Sequence, residues 1–181
     1  MSDRLIVSLD VAYANGQAYG VAVGFRDWLD NTPLFIECVA DSIASDYVSG
    51  EFWTREVPVL RKLIDRMKPH EGRRIFLVDG YVWLDANGKR GIGAVLWEDI
   101  LHRNDTVIGI AKTSYRDAPH IEVLRCDSKK PLFVTAAGVD PHVAAQAIRN
   151  MHGEHRLPTL IKWTDTCTKD LVVGRSDSLR F

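Results

Sequence analysis

The sequence predicts an α/β protein with a mixed central sheet, in which three antiparallel strands come first and parallel strands follow, flanked by helices. Three observations predict it. The first forty residues hold short apolar runs joined by turn residues. The middle of the chain alternates helix-period segments with brief apolar runs. An Asp-Pro pair then opens a further helix.

The first strand is Arg4 to Asp10 and the second about Gln17 to Phe25, and Ala14-Asn15-Gly16-Gln17 between them carries the Asn-Gly hairpin signal. A third strand, about Leu34 to Ala40, follows the turn Asp30-Asn31-Thr32-Pro33. A helix is expected from about Thr54 to Met67. Thr54 suits its cap, Glu56 suits its positive end, and Pro58 is placed in the first turn, where proline is tolerated. Val57, Leu60, Ile64 and Met67 form its apolar face. Ile75 to Val78 reads as a buried strand, and the loop Asp85-Ala86-Asn87-Gly88 leads to a second helix, about Gly91 to His102. Ile92, Val95, Leu96 and Ile100 share one side of that helix, and Thr106 to Ala111 makes another buried strand. Ile121–Cys126 and Leu132–Thr135 suggest a small hairpin. Asp140-Pro141 opens a third helix with Val143, Ala144, Ala147, Ile148 and Met151 inward. The order β-β-β-α-β-α-β, with an acid on the first strand, is that of the ribonuclease H-like fold; such an analogy leaves function open.

A chain of 181 residues is one domain by ordinary size, read here as 1–173 with a loose tail at 174–181. Apolar residues at 46% and charged residues at 26% are those of a globular protein able to build a core without staples. Cys38, Cys126 and Cys167 are odd in number and in no CxxC pair, which indicates reduced thiols and a cytoplasmic setting. The start of the chain does not read as a signal peptide, and no window approaches a membrane span. A net charge of −1 does not advertise a nucleic-acid partner, yet bound cations would reverse the sign of an acidic cluster. Arg73-Arg74, Lys89-Arg90 and Lys129-Lys130 supply basic pairs, each of which also fits a solvated surface.

The chemistry concentrates in acidic residues. Asp10 and Asp79 each close an apolar run, and Glu56 falls in the first turn of a helix. A carboxylate at the end of a buried strand is costly unless paired, and a hard divalent cation is the usual partner of several such groups. Taken singly, each has a plainer reading. Asp10 is a strand-end carboxylate, Glu56 a helix-dipole residue, Asp79-Gly80 a turn, and Lys112 a surface lysine. Trp53 and Trp83, beside two of the acidic patches, suit base stacking, although tryptophans more often pack. His152 and His155 lie three apart but flank Gly153 and lack a cysteine partner, which makes a zinc site the weaker reading. Gly91-Ile92-Gly93 lacks the rest of a dinucleotide fingerprint, and no Walker loop or Gly-x-Ser-x-Gly elbow occurs.

Five ordered patches carry a resemblance: Leu9-Asp10-Val11-Ala12-Tyr13, the stretch from Tyr47 to Pro58, Leu77-Val78-Asp79-Gly80, Ile108-Gly109-Ile110-Ala111-Lys112, and Arg156-Leu157-Pro158 through Asp165. In these patches the chain resembles the endonuclease V family, the deoxyinosine 3′ endonucleases, as a divergent member. The resemblance implies that Asp10, Glu56, Asp79 and Asp165 hold Mg²⁺, for which Mn²⁺ may substitute, and that Lys112 serves at the reacting phosphate. Asp165 equally fits an exposed helix residue. The implied reaction is hydrolysis of a phosphodiester in DNA or RNA, near inosine, leaving 3′-hydroxyl and 5′-phosphate ends. Tyr47, Trp53, Gly80 and Tyr81 are the substrate-binding candidates.

The chain also departs from that family's pattern. The wedge Pro-Tyr-Ile-Pro becomes Asp46-Tyr47-Val48-Ser49, and Asp-Gly-His-Gly becomes Asp79-Gly80-Tyr81-Val82. A His-Pro-Arg segment is replaced by Leu84 to Arg90, and the N-terminal helical segment usual in the family is not read in this sequence. A Val in place of Gly removes room for close backbone approach to a ligand. The alternative to a nuclease is therefore a catalytically silent relative that binds nucleic acid or a protein partner.

Overall fold

The computed structural model describes residues 4–42 and 53–180. Strands β1 (Arg4–Ala14), β2 (Gln17–Phe25) and β3 (Phe35–Ser42) come first, followed by helix α1 (Trp53–Arg66) and strand β4 (Arg73–Val78). Helix α2 (Ile92–Asp99) and strand β5 (Thr106–Ala111) follow. Strands β6 (Ile121–Val123) and β7 (Leu132–Ala137) then precede helices α3 (Pro141–Asn150) and α4 (Thr159–Val172). The strands form one sheet in the order β3-β2-β1-β4-β5-β7-β6. β1 pairs with β4, and β4 with β5, in parallel, whereas the remaining pairs are antiparallel. This is the ribonuclease H-like arrangement, with the expected mixed sheet between helices.

The Asn15-Gly16 turn has φ of +51° and +74°, the doubly positive geometry that matches strand twist in a tight hairpin. Alternation along the strands sorts side chains onto two faces. Val7, Leu9, Phe76, Val78 and Val107 face α1 and α2, where they meet Leu60, Leu63 and Leu96. Ile6, Leu77, Ile108, Val134, Ile148 and Leu160 form the core beneath α3 and α4. Gly20 lets α1 approach closely, since a Cβ there would lie 2.5 Å from Val59 Cγ1.

Several expectations are corrected. β1 does not stop at Asp10 but runs to Ala14, because antiparallel pairing with β2 continues to the turn. Helix α1 begins at Trp53, which puts Thr54 inside the helix and Pro58 in the second turn, where it withholds one ladder donor. Val143 is 59% exposed, and Ala145 takes the inward position beside Ala144 and Ile148. Beyond α4, Trp163 Nε1 donates to the Ser178 carbonyl at 2.8 Å, and Leu179 packs beside Val21, Val23 and Cys167. Among the described residues, no helix is long and apolar enough to cross a membrane.

Candidate active site

The sheet's topology makes an opening. β4 ends at Val78, whose partner on β1 is Leu9, so β1 continues past Asp10 with its β4 side uncovered. Asp79 follows β4 directly. Asp10, Glu56 and Asp79 all line the resulting cleft of about 330 Å³, together with Tyr13, Leu60 and Ile92. On the α4 side a narrow crevice continues from Asp10 and Asp79 to Lys112 and Asp165.

Each acid arrives from a different element. Asp10, two residues after Ser8 on the strand, belongs to the face toward α4, where the nearby Thr168 side chain of that helix favours its ionised form. Thr168 is fully buried, and its hydroxyl donates to the Thr164 carbonyl at 2.8 Å. Glu56 comes from the first turn of α1, on the opposite face. Lys112 immediately follows β5, and its Nζ donates to Asp79 Oδ2 at 2.7 Å. Asp165 Oδ2 accepts from Lys162 and Lys169, both at 2.8 Å, on its own helix.

The electrostatics are those of crowded carboxylates. Burial, then the charges of Asp10 and Asp79, push Glu56 up to about 8. Burial also raises Asp10, reinforced by Asp79 and Asp165 and opposed by Thr168 and Lys112. Asp165 is held low: burial acts upward, but the bonds from Lys162 and Lys169 outweigh it. Lys112 is raised, because the bond and charge of Asp79 overcome the desolvation of its ammonium. A site that raises its own carboxylates in this way has an unmet demand for positive charge.

Among the described residues, no group of three or more His, Cys, Asp or Glu stands close enough to hold a metal ion as placed. Asp79 is turned to Lys112, and Asp10 and Glu56 approach from opposite faces of the sheet. The donor chemistry nevertheless fits a hard divalent cation, since the cleft offers carboxylate oxygens and Glu56 is protonated near neutrality without one.

The substrate-binding candidates fare unequally. Gly80 sits beside Asp79 with φ of +144°, and Ile92 Cγ2 would lie 3.1 Å from a Cβ there. Tyr81 is 6% exposed; its hydroxyl donates to the Thr113 carbonyl and accepts from the Tyr115 N–H, so its side chain packs rather than presents itself. Trp53 is half-buried against the α1 core. Tyr47 lies outside the described residues. Sequence reading missed Thr168, whose signal was a Thr164/Thr168 pair at helical spacing, and Arg55, whose guanidinium lies 5.0 Å from the Tyr13 ring centroid.

The same architecture occurs in solved nucleases. An endonuclease V of Ciona intestinalis, in complex with a DNA containing an inosine followed by a ribo-adenosine, superposes with a TM-score of 0.77 at 17% identity. The match covers 94% of this chain and 86% of that one. The endonuclease V of Streptomyces avermitilis gives 0.74 at 22% identity, over 94% of this chain and 82% of that one. The chain has the endonuclease V fold. An Argonaute of Marinitoga piezophila shares it more distantly, with a TM-score of 0.57 at 12% identity, over 93% of this chain and 30% of that one. No protein-family model matches the sequence, and no curated protein does. The endonuclease V likeness is therefore one of fold.

Proposed function

We propose that this protein is a metal-dependent endonuclease of the endonuclease V type, hydrolysing phosphodiester bonds in DNA or RNA to leave 3′-hydroxyl and 5′-phosphate ends. The observation that carries the reading is the meeting of Asp10, Glu56 and Asp79 at one cleft, with Lys112 at its edge. Nothing in folding requires mutually repelling carboxylates to share a cavity, and here burial, reinforced by the charges of Asp10 and Asp79, raises Glu56 to about 8.

Asp10, Glu56 and Asp79 are the residues to hold Mg²⁺ or Mn²⁺, with Asp165 at the far side of the crevice. A bound cation of that kind polarises a phosphoryl oxygen and lowers the pKa of bound water. The protein's own part is placement. Thr168 favours the ionised form of Asp10, and Lys112, charged and anchored at Asp79, offers its ammonium to a phosphate entering the cleft. Lys162 and Lys169 neutralise Asp165 from the outer side of α4.

Inosine as the recognised base is the finer part of the reading, and the loop after Asp79 bears on it. The Val82 side chain is fully buried, its N–H donates to Thr135 Oγ1, and its carbonyl accepts from Gly91. The Tyr81 carbonyl accepts from Gly93. These backbone groups are engaged internally, which favours nuclease chemistry with a broader target over a tight hypoxanthine pocket.

The test is cleavage of plain and inosine-containing DNA and RNA oligonucleotides, with Mg²⁺, with Mn²⁺ and without either. Metal-dependent products bearing 5′-phosphate are expected. No product from folded protein under any condition leaves the silent, nucleic-acid-binding reading in its place.

A further inference from the structure

Lys112 is fixed through its backbone as well as its ammonium. The ladder between β5 and β7 ends at Ala111 and Phe133, so regular sheet bonding does not reach Lys112. Arg156 takes over there. Its Nη2 donates to the Lys112 carbonyl and, at 2.6 Å, to the Pro131 carbonyl, joining the residue after β5 to the residue before β7.

Arg156 belongs to the connection between α3 and α4, and a second arginine organises that connection. Arg125 is 3% exposed and follows β6. Its guanidinium donates to the carbonyls of Arg149, Met151, Gly153 and His155 at 3.4, 2.5, 3.0 and 3.2 Å. The acceptors are four neutral carbonyls, one in the last turn of α3 and three after it, so this buried charge fixes the course of the chain from the end of α3 up to Arg156. Only a planar fork with five donors can do this, which a lysine cannot reproduce.

We propose that Arg156 is a positioning residue for Lys112, with Arg125 holding the loop that presents it. The catalytic consequence rests on the nuclease reading above; the placement of Lys112 does not. Arg156 spends Nη2 on two backbone oxygens, and Lys112 then reaches Asp79 from an anchored main chain. Released from that anchor, the lysine would swing with the loop after β5, and displacements of about 1 Å can cost on the order of a hundredfold in rate.

The test compares wild type, Arg156→Ala, Arg156→Lys, Arg125→Lys and the control Asp79→Asn, each checked for folding by circular dichroism. The first readout is the rate at which a water-soluble acylating reagent labels Lys112, read by mass spectrometry against the exposed Lys68 and Lys89, which lie away from the Arg156 anchor. Severalfold faster labelling of Lys112 in the Arg156 variants, with the reference lysines unchanged, is expected. Unchanged Lys112 labelling in a folded variant overturns the inference. Should Arg156→Ala not fold, Arg156→Lys, which keeps the charge but not the fork, is judged by the same two results. The second readout is the kinetics of oligonucleotide cleavage. The expected effect is a fall in kcat of roughly tenfold or more with little change in KM. A raised KM with kcat intact would make Arg156 a substrate contact and overturn its positioning role. If wild type cleaves nothing, the nuclease reading fails, and the labelling still decides this one.

Discussion

Lys112 and Asp79 join the ends of two adjacent parallel strands, β5 and β4, by an ion pair with Nζ 2.7 Å from Oδ2. Both side chains are about half exposed, at 40% and 48%, so the pair contributes at most about 1 kcal/mol to folding. Its value lies in where it holds an ammonium: at the mouth of a cleft lined by carboxylates.

Asp79→Asn should therefore separate function from stability. Loss of this exposed pair is expected to move the unfolding free energy by less than about 1 kcal/mol. Cleavage is expected to fall by roughly a hundredfold or more, because Asp79 is one of the three carboxylates proposed to hold the divalent cation. Thermal melts and single-turnover cleavage check both halves. Retained cleavage in Asp79→Asn would remove this residue from the site.

Glu56 gives the pH dependence a definite sign. Its carboxyl is raised from 4.5 to about 8 in the folded protein, so the native state keeps a proton that the unfolded chain sheds. Stability therefore declines as pH rises from about 4.5 through about 8, and the raised Asp10 acts in the same direction. A divalent cation supplies the missing charge but needs ionised ligands, so it competes with that proton. Mg²⁺ or Mn²⁺ should raise Tm little at pH 6 and more at pH 8.5. Glu56→Gln should flatten the metal-free profile across this window. A cation-induced shift that is the same at both pH values would contradict the assignment.

Much of this arrangement is legible in the sequence because it follows from local rules. The Asn15-Gly16 turn, the apolar run before Asp79 and the Asp140-Pro141 start of α3 each announce themselves within a few residues. What local patterns do not carry is the sheet order. Asp10 sits at an opening not because β1 ends but because β4, its parallel neighbour, stops one register earlier, and that is a property of pairing. The same holds for Tyr81, which reads as a pocket residue beside Asp79 yet is drawn into contact with Tyr115, His120 and Phe133. Arg125 is silent in sequence for a related reason: a buried arginine looks like a surface residue until its partners are placed.

Thr168→Val tests the support beneath Asp10. Valine keeps the volume in a fully buried position and removes the hydroxyl, which donates to the Thr164 carbonyl and favours the ionised form of Asp10. Loss of a buried hydroxyl hydrogen bond costs about 1–3 kcal/mol, and because this hydroxyl favours the ionised form of Asp10 the loss should be larger at pH 8 than at low pH. Thr168→Ser should stay near wild type. Denaturant unfolding at the two pH values measures this, and an equal cost at both would mean that the hydroxyl serves only the Thr164 carbonyl.

At the other end of β4 the fold depends on a pair remote from the cleft. Arg74 lies next to the start of the strand, and its Nε donates to Asp105 Oδ1 at 3.0 Å while Nη2 reaches Oδ2. Asp105 is 4% exposed and also accepts from the His102 N–H, which fixes the turn between α2 and β5. Removing one partner leaves the other buried and unpaired, a change that typically costs about 3–5 kcal/mol. Asp105→Ala should thus lower the unfolding free energy by roughly that amount. Asp79 and Lys112 emerge from the opposite ends of β4 and β5, so at a temperature where the variant is still folded its cleavage rate per folded molecule should match wild type. A variant as stable as wild type would show that this pair merely decorates the strand ends. A fully folded variant with lost activity would show that the turn at Asp105 is coupled to the cleft through the length of the sheet.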